Sequence, residues 1–133
     1  MDNIIVSADI PVTDLERAMT FYGAVLQHEF TLVEGMPGIA LPSPDRSDPS
    51  DAPQGPMPVA FDLVVVEDHK PSVDGCTIYL NSEEDPEGML RRAAEAGGEI
   101  LMPVTDMGEM VGSIGFFKDS EGNRIGVHKS PQR

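Results

Sequence analysis

Three histidines, His28, His69 and His128, and one cysteine, Cys76, are the side chains whose chemistry suits acid-base catalysis, nucleophilic attack or soft metal ligation near neutral pH. His28 follows an amphipathic run that ends at Leu26, where a partial positive charge complements the negative end of a helix. His69 lies between Asp68 and Lys70 in a polar linker and is expected to face solvent. Cys76 opens an apolar run beside Thr77, which predicts a buried, inert thiol, since no neighbouring base or helix start is evident to activate it. His128 falls in the last strand-like run, and any catalytic partner for it must come from a distant part of the chain. Met102, Met107 and Met110 surround the segment 103–109, where flexible thioethers either line an apolar pocket or fill core gaps. Gly35, Gly38, Gly108 and Gly112 lie in turn-like settings, without the strand-to-helix context of a phosphate loop.

Positioning these side chains is the task of a pattern that occurs twice. A first strand over 3–12 sets Ala8, Ile10 and Val12 on one face and Ser7, Asp9 and Pro11 on the other. Thr13 to Glu16 reads as a capping box, and Leu15, Ala18, Met19, Tyr22, Val25 and Leu26 recur at helical spacing to about Leu26. Strands over 29–33 and 38–41 flank a turn at 34–38. The stretch 43–56 has four prolines and almost no apolar content, which predicts a flexible surface loop with the makings of a lid. A strand over 59–66 and a turn-rich linker over 70–75 complete the first half. The second half repeats the order: a strand over 76–80, a helix opened by Asp85 as N-cap and Pro86 at the first position, and Gly97-Gly98 to stop it. Met89, Leu90, Ala93 and Ala94 form that helix's apolar stripe, with Arg91, Arg92 and Glu95 outside. Strands over 99–104, 113–118 and 124–129 follow, the last two joined by a turn at 119–123. Asp85 and Glu87 repeat Asp14 and Glu16 at a constant offset of 71 residues, the mark of an internal duplication.

Composition bounds the partners. The 133 residues suit one domain, and 23 Asp+Glu against 9 Lys+Arg give a formal net charge of −14. That excess repels phosphate backbones and anionic lipid head groups, and no basic patch offsets it, so neither nucleic acid nor a membrane surface is an expected partner. A single cysteine precludes an internal disulfide, and the first eleven residues lack the basic start and apolar stretch of a secretion signal. A cytoplasmic setting is the expectation.

Taken together, Ile10-Pro11-Val12-Thr13-Asp14-Leu15-Glu16-Arg17-Ala18 with Phe21-Tyr22, the run from Gly97-Gly98 to Thr105-Asp106, and Asp119-Ser120-Glu121-Gly122-Asn123-Arg124-Ile125 resemble the vicinal oxygen chelate superfamily of glyoxalase I, extradiol dioxygenases and bleomycin-resistance proteins. The resemblance covers the chain except the proline-rich loop. It implies an α+β fold of one domain, residues 1–133, in which two βαβββ modules, about 1–70 and 73–133, form a cupped mixed sheet, often completed across a homodimer. It also implies a divalent metal on four side chains in the cleft, and the equivalent positions can be tested by donor chemistry. They fall on Ser7, on Thr77 or Ile78, on Gly126, and, where an acid remains, on Asp62. A hydroxyl is a poor ligand, an isoleucine or glycine none, and one acid cannot hold a metal, so no cofactor is expected.

Strand alternation from these positions adds companions on the same face: Asp9 beside Ser7, Tyr79 beside Thr77, and His128 beside Gly126. Ser7, Asp9, Thr77, Tyr79 and His128 form a polar ring with two readings. In one, His128 is an acid or base, Asp9 orients it and Tyr79 donates a hydrogen bond; in the other, they are polar residues on a wetted surface. The function this suggests is a small-molecule cleft without the metal quartet, acting as a ligand-binding protein or a metal-free catalyst. Two alternatives stand beside it: a metal-dependent lyase or dioxygenase using Asp9, Asp62 and His128, and an antibiotic-sequestering protein whose acidic cleft draws a cationic ligand.

Overall fold

Alternation over the first strand and helical spacing after it produce the expected elements in the computed structural model, which describes residue 5, residues 7–43 and residues 60–131. Strand β1 (Ser7–Pro11) leads into helix α1 (Leu15–Leu26), then β2 (Phe30–Leu32), β3 (Ile39–Pro42) and β4 (Ala60–Val64). The second module gives β5 (Ile78–Asn81), α2 (Pro86–Glu95), β6 (Glu99–Asp106), β7 (Ser113–Lys118) and β8 (Arg124–Lys129). Apart from Ser43, the proline-rich segment 43–56 lies outside the described residues.

Each module makes one four-stranded mixed sheet, ordered β1-β4-β3-β2 and β5-β8-β7-β6, so the two sheets repeat one topology. The first strand of each pairs parallel with the fourth, Ile10 beside Leu63 and Leu80 beside Val127. Alternation then sends Ile10, Leu63, Leu80, Ile125 and Val127 toward the helices, where they are buried with Phe21, Tyr22, Leu90 and Phe117 in one core. Phe21 of α1 meets Phe117 of β7 with ring centroids 5.9 Å apart, so the core runs across both modules. Each such ring, taken fully from water, contributes on the order of 2–3 kcal/mol. Among the described residues no helix is long and apolar enough to cross a membrane.

The duplicated caps behave alike. Asp14 accepts a hydrogen bond from the Arg17 backbone N–H at 3.0 Å, and Asp85 accepts one from Gly88 at 2.9 Å. Thr13 is therefore not the N-cap that the Thr13 to Glu16 spacing suggested. The reason comes from the other module: Glu121, in the β7–β8 turn, accepts from the backbone N–H groups of Thr13 and Asp14 and from the Thr13 hydroxyl. It thereby fills the back-bonding role that a capping box assigns to an acid three positions into the helix. Arg17 completes the clamp, its Nε donating to Glu121 at 2.6 Å. Burial alone would raise the Glu121 carboxyl, but hydrogen bonds from Arg17, Asp14, Ser120 and Thr13 outweigh it and draw it down to about 2.

The same turn carries a buried polar knot. Tyr22 donates its hydroxyl proton to Asp119 at 2.5 Å, and Asp119 also accepts from the backbone of Glu121 and Asn123 and from the Asn123 side chain. Asn123 in turn donates to the Pro11 carbonyl and accepts from the Ser72 backbone. Burial, with the Asp119 charge second, pushes the Tyr22 phenol well above its usual range.

Four smaller expectations are corrected. Cys76 is exposed, because β5 begins two residues later than the apolar run suggested. His28 donates to the Ser43 carbonyl at 2.7 Å, while α1 closes on Gln27 in the left-handed conformation, with no basic residue in its last turn. Arg92 is half-buried and donates to the Val25 carbonyl at 2.9 Å, tying α2 to α1. Met107 and Met110 fill no core gap: both are exposed, Met110 at 95%.

Candidate functional site

The faces of the two sheets turned away from the helices carry the residues with chemistry. On the first sheet, the parallel register of β1 and β4 sets Asp9 directly beside Asp62, one position from the core residues Ile10 and Leu63. Two carboxylates so placed disfavour each other's charge. Partial burial first, and the Asp9 charge second, raise the Asp62 carboxyl above its ordinary value. Ser7 is exposed at the start of the same strand.

On the second sheet, Gly126 of β8 lies between Tyr79 of β5 and Phe116 of β7. With no side chain in the middle position, the flanking rings reach each other across the strand, centroids 5.8 Å apart. The contact leaves no room for anything larger than glycine, because a Cβ on Gly126 would lie 2.5 Å from the Tyr79 ring. Two residues back along β8 on the same face, the Arg124 guanidinium lies 5.0 Å from the centre of the Phe116 ring. Its Nε and Nη2 both donate to the Thr77 hydroxyl, at 3.1 and 2.7 Å.

Two residues forward on β8, His128 donates from Nε2 to the Val111 carbonyl at 2.6 Å. A carbonyl only accepts, so Nε2 carries the hydrogen and Nδ1 is the nitrogen left to exchange a proton. This bond commits half of the imidazole to holding the 107–112 loop. No hydrogen bond joins His128 to Asp9.

Among the ring residues, the structure therefore pairs Asp9 with Asp62, Thr77 with Arg124, and Tyr79 with Gly126 and Phe116; Ser7 and His128 stand apart. The seam between the modules holds a cavity of about 200 Å³, lined by Asp9, Lys70, Asp74, Cys76, Asn123 and Arg124 among others. Asp9 is the ring member that reaches it. Arg124 and Phe116 were not among the residues expected from sequence. The alternation that linked Gly126 to His128 would also have found Arg124, had it been run in the other direction.

The four positions at which the resemblance places a metal can now be judged as a donor set. Ser7 offers a hydroxyl, the Thr77 oxygen is held by Arg124, Ile78 packs against the core, and the space above Gly126 is taken by Tyr79. That leaves the carboxylate of Asp62. Among the described residues no group of three or more His, Cys, Asp or Glu side chains could hold a metal ion. This set does not fit a first-row divalent ion, which needs three or four converging donors at about 2.0–2.3 Å.

Comparison with known proteins agrees with the architecture. The fold is similar to a glyoxalase/bleomycin resistance protein from Albidiferax ferrireducens T118, with TM-score 0.71 and 15% identity, covering 97% of this chain and 100% of that one. It is similar to a glyoxalase-related enzyme from Fulvimarina pelagi, with TM-score 0.66 and 15% identity over 96% of this chain and 88% of that one. It is also similar to the fosfomycin resistance protein FosX from Mesorhizobium loti, with TM-score 0.60 and 12% identity over 97% and 92%. At these identities the likeness is one of fold alone. No curated protein matches the sequence. The family model of the Glyoxalase/Bleomycin resistance protein/Dioxygenase superfamily matches residues 4–127, and with the paired βαβββ modules this shows that the chain belongs to that superfamily.

Proposed function

We propose that this chain binds a small organic molecule at the seam of its two modules without a bound metal. The observation that carries the reading is the Tyr79 ring seated over Gly126, which fills the space a fourth ligand would need. Apolar walls with a few convergent polar groups are the usual make-up of a small-molecule site; Ile10, Pro11, Ile78 and Ile125 line the seam cavity together with Asp9, Lys70 and Arg124, and the Arg124 guanidinium in turn lies against Phe116, which meets Tyr79. The metal-dependent alternative needs Asp9, Asp62 and His128 at one point. Asp9 and Asp62 are neighbours on the first sheet, whereas His128 is on the second and bonded to Val111.

A fragment library screened by thermal shift on chelator-treated protein tests the reading. It expects hits whose stabilisation is the same with and without added divalent metal, and whose effect is lost when Tyr79 is replaced by alanine. Hits that appear only when a divalent metal is restored would overturn it.

A further inference from the structure

We propose that Arg124, set against the Phe116 ring beside Tyr79, is the recognition site for the carboxylate of a planar, conjugated small molecule. The proposal rests on the reading of the seam as a metal-free cleft and names the ligand class that the cleft takes.

Charge is the first argument. The protein has 9 basic residues against 23 acids, so cations are scarce, and Lys70 is the other cation lining the seam cavity with Arg124. The other cations with named contacts are engaged: Arg17 pairs with Glu121, Lys118 with Glu99, and Arg92 is tied to the Val25 carbonyl. Arg124, among the described residues, is held by a neutral hydroxyl and an aromatic face and forms no ion pair. Its positive charge is positioned but not neutralised.

Geometry is the second. Thr77 takes the Nε hydrogen and one Nη2 hydrogen, and the ring of Phe116 fixes the guanidinium at a second point. Both Nη1 hydrogens and one Nη2 hydrogen have no partner among the described residues. One from each nitrogen makes the end-on pair that a planar carboxylate accepts with two parallel bonds. Because the fork is already fixed, little side-chain freedom is lost when such a ligand arrives.

The surface beside the fork is the third. Tyr79 is 47% exposed and meets Phe116 across Gly126, giving a continuous aromatic patch next to the guanidinium. A ligand whose carboxylate sits on Arg124 can lay a flat apolar body on this patch. Asp9 and Asp74 line the same cavity as Arg124 and, outnumbering the Lys70 beside them, disfavour a second carboxylate, so the site favours a monocarboxylate with a neutral far end.

Benzoate, benzamide and benzylammonium share one ring and differ in head-group charge, so an amide-resolved NMR titration of the chelator-treated protein with each isolates the contribution of the carboxylate. The expected result is saturable benzoate binding with shifts centred on β8 and β5, and binding of the other two weaker by about tenfold or more. Arg124→Met should lose benzoate by about tenfold or more while keeping the wild-type spectrum elsewhere, and Arg124→Lys should recover only part of it. Benzoate binding unchanged in Arg124→Met would overturn the proposal, as would no saturable shift up to about 20 mM, the range for a fragment of this size. Preference for benzamide or benzylammonium would overturn the carboxylate assignment and leave the metal-free cleft standing. Benzoate binding that requires added divalent metal would instead overturn the cleft reading itself.

Discussion

Gly126 shows how much one absent side chain can decide. Its Cα lies in register between Tyr79 and Phe116, and the two rings use the space that any larger residue would take. Gly126→Ala should therefore destabilise the fold by about 1–3 kcal/mol through overpacking, measured by chemical denaturation. In Tyr79→Ala the same substitution should cost markedly less, and the non-additivity of the double-mutant cycle reports the contact. Asp62 carries a second expectation at this scale. Its folded pKa is raised, so the folded state holds its proton more tightly and stability falls as pH rises through the ordinary carboxylate range. Asp62→Asn should accordingly raise the melting temperature at pH 7, with the gain shrinking as pH falls below the ordinary carboxylate value; an unchanged or lower melting temperature at pH 7 would contradict it. Residue types were enough to show that Ser7, Ile78 and Gly126 are poor donors. They could not show that Tyr79 fills the gap or that Arg124 stacks on Phe116, because those contacts depend on register between strands far apart in sequence.

Elements were the most legible level, for a local physical reason. The α2 start was readable because its cap, proline and first-turn acid all lie within residues 85–87, and the structure places Pro86 at the first position with Asp85 capping Gly88. β7 and β8 match their expected spans because Asp119 to Asn123 closes them as a tight turn. The start of α1 was misread at one residue, since the acid that completes its cap is Glu121, over 100 positions away. Cys76 was misplaced because an apolar run does not reveal where strand pairing begins. The element-level prediction concerns the tie between α1 and the β7–β8 turn. Tyr22→Phe keeps the ring contacts with Phe21 and Phe61 but removes the hydroxyl from Asp119. Thermal or denaturant unfolding should show a loss of about 1–3 kcal/mol, the range for leaving a buried acceptor short of its donor.

The modules are joined as a whole by a shared core and by one turn that reaches from the second to the start of the first. Glu121 is the charged part of that joint, and its pKa fixes the pH at which the joint weakens. The folded value, about 2, lies below the ordinary 4.5, so its stabilisation is fully present above pH 4.5 and is lost as pH falls through 2. Glu121→Gln should be less stable than the parent at pH 7, by about 1–3 kcal/mol for the loss of charge-assisted hydrogen bonds, and indistinguishable from it near pH 2. Equal stability at pH 7 would show that the clamp contributes nothing to holding the modules together. The duplication itself was visible in the offset of 71 residues, and the two sheets of identical strand order are its physical expression. The seam between them was not visible, because its lining comes from β1, the linker and β8 at once.

The claim on which the functional account turns is that the seam works without a metal, and isothermal calorimetry of chelator-treated protein with Zn²⁺, Ni²⁺, Mn²⁺ and Fe²⁺, run beside His128→Ala, tests it most directly. The account predicts no saturable heat for any of the four ions in either protein. Tight binding at one ion per chain, abolished in His128→Ala, would contradict it and establish a ligand set that includes this histidine.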